Sequence, residues 1–130
     1  MTAFLDTNIL VYAQQDGRKA EIAQDLIDGG GTISAQVLNE LTNVLSKKLG
    51  KNWHDIGLVL NDIEKAVEPA SPLTAETTRA ALVLCRDHGL AFYDALIVAS
   101  AIEARCDTLF TEDLQNGRRF GDLVIVNPFL

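Results

Sequence analysis

Sulfur and imidazole are scarce in this sequence, with two cysteines and two histidines in 130 residues. Cys85 and Cys106 lie in apolar stretches and belong to no Cys-x-x-Cys or Cys/His cluster. They read as buried thiols, which argues against a disulfide scaffold and a zinc site. Long hydrophobic runs are missing as well: Ala95 to Ala101 is far shorter than the ~20 residues needed to cross a membrane. Met1 to Leu5 run straight into a motif around Asp6, with no basic segment, separate apolar segment or cleavage site ahead of it. A cytoplasmic, reducing setting is the expectation. Positive charge is also in deficit. Eleven Lys and Arg against 18 Asp and Glu leave a net charge of −7, which speaks against a broad basic face for nucleic acid. An acidic chain can still handle phosphates if its negative charge is gathered at one place and neutralised there by divalent cations.

What is present suffices for one core. Hydrophobic residues make up 48% of the chain, and its length is that of one domain spanning residues 1–130. Thr2 to Leu5 reads as a short buried strand that stops at Asp6, followed by a helical turn or two from Asn8 to Gln14. Ile22, Ala23, Leu26 and Ile27 recur at helical spacing between Arg18 and Asp28, and Gly29-Gly30-Gly31 stops that helix. Thr32-Ile33-Ser34 reads as a second short strand. Val37, Leu38, Leu41, Val44, Leu45 and Leu49 form one apolar stripe from Ala35 to Leu49. Asn52 caps a helix from Trp53 to Ala66 that turns Trp53, Ile56, Leu60 and Ile63 inward. Helices follow from Thr74 to His88 and from Phe92 to about Arg105, the last apolar on almost every side and therefore central. Thr108 to Thr111 and Leu123 to Val126 read as strands, separated by a polar loop with Gly117 and Gly121. Such alternation predicts an α/β sandwich around a mainly parallel sheet.

Ligands of parallel sheets bind beyond the carboxyl ends of the strands. Asp6 follows the first strand and Asp113 follows the Thr108 strand, so both can face one cleft. Glu40 stands at the margin of its helix's apolar stripe, and Asp94 in the first turn of the most apolar helix. Both are costly places for an unpaired carboxylate. Four acids gathered together repel one another, and hard divalent cations, Mg²⁺ or Mn²⁺, are the simplest compensation. Each acid alone also has a plain structural reading: Asp6 as a helix cap, Asp94 as a favourable charge on a helix dipole, Glu40 as a solvated helix residue, Asp113 as a loop residue. The argument rests on the four together.

The pattern Phe4-Leu5-Asp6-Thr7-Asn8-Ile9-Leu10, Ser34-Ala35-Gln36-Val37-Leu38-Asn39-Glu40-Leu41, Tyr93-Asp94-Ala95-Leu96-Ile97-Val98-Ala99 and Thr111-Glu112-Asp113-Leu114 resembles a PIN domain. It is most similar to the VapC-type toxin ribonucleases, from the first strand to the last. The resemblance implies a three-layer α/β/α sandwich. It also implies catalytic, metal-binding acids at Asp6, Glu40, Asp94 and Asp113, with Thr7, Asn8 and Thr111 hydrogen-bonded to them. For Asn8, turn or cap formation is an equal reading. An RNA substrate, a homodimer and a small cognate antitoxin follow from the same resemblance.

Hydrolysis by a metal-activated water needs no Ser, Cys or His nucleophile, and His54 and His88 lie far from the four motifs along the chain. RNA backbone contacts are open to Lys47, Lys48 and Lys51 and, closer in sequence to a proposed ligand, to Arg118 and Arg119. Singly, each reads first as a solvated helix-end or loop charge. Glu112 competes with Asp113 for the fourth position, and spacing favours Asp113. A phosphoryl-transfer enzyme with a strand-end Asp nucleophile needs a second Asp two residues on, where this chain has Asn8. A catalytically idle PIN-like binding module is the alternative reading.

Overall fold

A computed structural model of the chain describes residues 2–130. The order of elements is β1 (Ala3–Leu5), α1 (Thr7–Tyr12), α2 (Arg18–Asp28), α3 (Ala35–Lys47), α4 (Trp53–Ala66), α5 (Ala75–His88), α6 (Phe92–Glu103), β2 (Thr108–Phe110), β3 (Arg119–Phe120) and β4 (Leu123–Val126). The four strands make one sheet in the order β1-β2-β4-β3, parallel except for the β3 edge. Helices flank it in a three-layer α/β/α sandwich, with α1 against α2 and α3, α3 against α4, and α5 against α6. No helix among the described residues is long and apolar enough to cross a membrane.

The core follows from the strand register. Phe4, Leu109 and Ile125 are aligned across three strands and fully buried. Each such burial contributes about 1.5–3 kcal/mol. Residues 95–101 of α6 are all buried, which makes this helix the central one, as its apolar sequence predicts. Side-chain caps start α3 at Ser34, α4 at Asn52 and α5 at Thr74.

Four local expectations are corrected. Thr32-Ile33-Ser34 is no strand. Thr32 bridges Phe4 while Ser34 bridges Ser71, and α3 begins at once, so the segment has no length in which to pair with one partner. Gly31 brings the chain into it at φ +146°, where a Cβ would press on the Leu5 side chain at 3.3 Å. The polar loop after β2 contains β3, which closes antiparallel on β4 with Arg119 opposite Val124. Trp53 is 72% exposed, because as the first residue of α4 it has no preceding turn to pack against. Cys106 is buried, but Cys85 only partly.

Candidate active site

Leu5, Phe110 and Val126 end their strands in register, so the residues after them emerge at one edge of the sheet. The ladder runs one step further: the Asp6 amide donates to the Phe110 carbonyl and the Thr111 amide to the Val126 carbonyl, each at 3.1 Å. This step sets Asp6 beside Thr111, two residues 105 positions apart in sequence.

Asp6 caps α1 and faces the site at once. Its Oδ1 accepts from the Thr7 amide at 2.7 Å and its Oδ2 from the Thr111 hydroxyl at 2.8 Å. Thr111 Oγ1 in turn accepts from Asn8 Nδ2 at 3.2 Å and from the Asp113 amide at 3.1 Å. Asn8 Nδ2 also donates to Asp113 Oδ2 at 3.0 Å. On the other side, Thr7 Oγ1 donates to Glu40 Oε1 at 3.3 Å. Gln36 Nε2 donates to the same oxygen at 2.9 Å and to the Tyr93 carbonyl at 3.2 Å, next to Asp94. Glu40, Asp6 and Asp113 thus belong to one chain of hydrogen bonds, and Asp94 stands beside it on the first turn of α6.

The charges feel one another. Burial, first, pushes the Asp6 carboxyl up from 3.8 to about 6. The bonds from Thr111 and Thr7 oppose the shift, and the charges of Asp113 and Glu40 add to it. Asp94 is raised by burial and then by the charge of Asp113. Glu112 is turned elsewhere: the Tyr12 hydroxyl and the Lys19 ammonium hold its carboxyl below the usual glutamate range, against the opposing effect of burial. Of the two neighbours it is Asp113, not Glu112, that meets Asn8 and couples to Asp6 and Asp94.

Among the described residues no three His, Cys, Asp or Glu side chains are gathered tightly enough, as placed, to hold a metal ion. The donor chemistry still suits a hard divalent cation. The acids offer only oxygen, Asp6 and Asp94 are destabilised by neighbouring negative charge, and the buried Asn8 Oδ1 has no hydrogen-bond partner. A cavity of about 380 Å³ opens beside them, lined by Thr7, Asn8, Glu40, Lys48, Leu49 and Asp113. The larger cavity, about 620 Å³, lies at the opposite sheet edge by Thr2, Asp107 and Leu123, away from the acids.

Of the basic residues singled out from sequence, Lys48 lines the site's cavity. Arg118 faces away from the acids, donating to the His88 carbonyl at 2.9 Å and lying over the Phe120 ring, beside the larger cavity. Arg119 and Lys47 are exposed. Sequence reasoning missed Gln36, although it lies one helical turn before Glu40 on the same face. It also missed Tyr12 and Lys19, whose partner is about 100 residues away and leaves no local signal.

The Thr111 hydroxyl makes three of these bonds while fully buried, so Thr111→Val is expected to destabilise the fold by about 1 kcal/mol and Thr111→Ser by less. Urea titration of the two variants tests this. Equal stability in both would mean that the hydroxyl contributes nothing.

Comparison with known proteins agrees with this fold. A family model described as PIN domain matches residues 3–120. No curated protein matches by sequence. Among solved structures, the chain is similar to a toxin–antitoxin complex from Klebsiella pneumoniae (TM-score 0.73, 22% identity, 98% of each chain covered). It is also similar to VapBC2 from Rickettsia felis bound to a promoter DNA fragment (0.69, 26%, 96% of this chain and 97% of that one). A third is VapC20 from Mycobacterium tuberculosis, described as a sarcin-ricin loop cleaving toxin (0.67, 19%, 83% and 87%).

Proposed function

The chain belongs to the PIN domain family, and from that premise we propose that it is a metal-dependent endoribonuclease, the toxin of a toxin–antitoxin pair. The observation that carries the reading is the convergence of Asp6, Glu40, Asp94 and Asp113 at the carboxyl edge of the sheet, three of them in one hydrogen-bonded chain. Similarity to a toxin described as cleaving an RNA loop, and to toxin–antitoxin complexes, supports the substrate and the partner. A homodimer is part of the same proposal.

The four acids would hold Mg²⁺ or Mn²⁺, which when bound draws charge from a phosphate oxygen and makes water acidic enough to attack in line. The chain's own residues supply the order. Thr111 and the Thr7 amide fix one oxygen each of Asp6, so its carboxylate cannot turn from the cleft. Gln36 and Thr7 both donate to Oε1 of Glu40 and orient that carboxylate through one oxygen. Asn8 steadies Asp113 through its amide nitrogen, while its buried Oδ1 is left without a hydrogen-bond partner. Attack by water leaves a 5′-phosphate and a 3′-hydroxyl and makes no use of the substrate 2′-hydroxyl.

The test is incubation of the purified chain with a mixed RNA pool in Mg²⁺, in Mn²⁺ and in chelator, with end-group analysis of the products. Cleavage in either ion, none in chelator, and 5′-phosphate ends are expected. Cleavage that persists in chelator, or 2′,3′-cyclic ends, would overturn the metal-hydrolysis reading.

A further inference from the structure

We propose that the cavity beside the acids continues into a path for single-stranded RNA, where Lys47, Lys48 and Lys51 hold phosphates and Trp53 stacks on an unpaired base. The proposal rests on the nuclease reading and names the part of the substrate that reaches past the cleavage site.

The lining of the cavity mixes two chemistries: the polar and acidic Thr7, Asn8, Glu40 and Asp113, and Val44, Lys48 and Leu49 from the last turn of α3 and the residues after it. In that stretch, residues 47–51 carry three of the chain's eleven Lys and Arg, a local reversal of sign in a molecule with net charge −7. Among the described residues the ion pairs are Lys19 with Glu112 and Arg86 with Asp87, so all three lysines remain available. The Lys51 amide donates to the Leu45 carbonyl at 3.0 Å, which folds the turn back over the end of α3.

Two residues beyond Lys51 stands Trp53, 72% exposed on the first residue of α4, with Leu49 at the cavity 37% exposed. Leu49 and Trp53 are separated by at most ~14 Å of chain. An exposed indole within six positions of three unpaired lysines, on the stretch of chain whose Lys48 and Leu49 line the cavity, supplies with them the two parts of a single-strand binding platform. Charge follows the backbone, and an aromatic face accepts any base. The lysines favour a polyanion over an apolar protein partner at this surface.

Trp53 is the only tryptophan, so its emission reports the path directly. The experiment titrates an unstructured eight-nucleotide RNA into the Asp94→Asn chain in Mg²⁺, reading tryptophan fluorescence and, separately, anisotropy of labelled RNA. Quenching on binding is expected, with affinity on the order of ten-fold weaker in Trp53→Ala and nearly kept in Trp53→Phe. Replacing Lys47, Lys48 and Lys51 by Ala is expected to flatten the slope of log Kd against log salt by about 2, the value for three phosphate contacts on a single strand.

Binding without quenching, or an unchanged salt slope, overturns the path. So does RNA-insensitive emission that changes only when a partner protein is added. If the parent chain cleaves RNA while Trp53 stays silent, the path is wrong and the nuclease reading stands. Quenching by RNA without cleavage in any metal keeps the path and removes the nuclease.

Discussion

Asp94→Asn is expected to lower RNA cleavage by about 100-fold or more while leaving the folded chain at least as stable as before. Removal of a group that merely orients a metal ligand costs 10–100-fold, and loss of a ligand itself should cost no less. The variant is a clean one. The Asp94 side chain makes no hydrogen bond among the described residues, and burial and Asp113 both disfavour its charge. Asn keeps the shape, removes the charge and relieves the repulsion. Single-turnover cleavage and thermal melting on the same preparation decide the matter. Wild-type cleavage would remove Asp94 from the site, whereas lost cleavage with a collapsed melting transition would make the residue structural.

Asp6→Asn should raise the stability of the metal-free chain near pH 7 by about 2 kcal/mol and abolish cleavage. The Asp6 carboxyl is 6% exposed and ionises at about 6 in the fold against 3.8 when unfolded. Below 3.8 both states carry the proton and Asp6 contributes no pH dependence. As pH rises toward 6 the unfolded chain loses its proton more readily than the folded one, so stability declines across that window. Above 6 the full cost remains, roughly 3 kcal/mol before allowing for the charged hydrogen bonds that Asn cannot reproduce. The variant's advantage should therefore be present at pH 7 and gone at pH 3.5. Mg²⁺ should stabilise the parent with the logarithm of its concentration once above its dissociation constant, and the variant far less, and chelator should reverse the difference. Denaturant titrations at the two pH values, with and without Mg²⁺, test each sign; an advantage that is larger at low pH would refute the assignment.

The legible parts of this molecule were those fixed by periodicity. The stripe from Val37 to Leu45 marks the buried face of α3 and leaves Glu40 at its margin, and the apolar run of α6 marks the centre. Asp6 and Asp113 were legible as candidates because each follows a strand that ends at one edge of the sheet, and Glu40 and Asp94 because helical spacing sets them at the margin of an apolar face. What escaped is what periodicity does not encode. It gives Trp53 an angle around α4 but does not say whether any neighbour covers that angle. It gives β3, two residues long, no pattern at all. The competition between Glu112 and Asp113 turned on Tyr12 and Lys19, which meet Glu112 only after α1 and α2 have folded against the end of the chain.

The bond from Thr111 to Asp6 spans 105 positions. Thr32 bridges β1 on one side, but β2, its strand partner on the other, lies 105 positions along the chain, so the Asp6–Thr111–Asp113 part of the acidic edge cannot form until β2 has paired. A chain that stops before β2 still has Thr7 to meet Glu40 across α1 and α3, yet lacks Thr111 and Asp113, which hold the other side of Asp6. On the reading proposed above, the metal site is therefore incomplete, and cleavage absent, in any fragment that ends before Asp113.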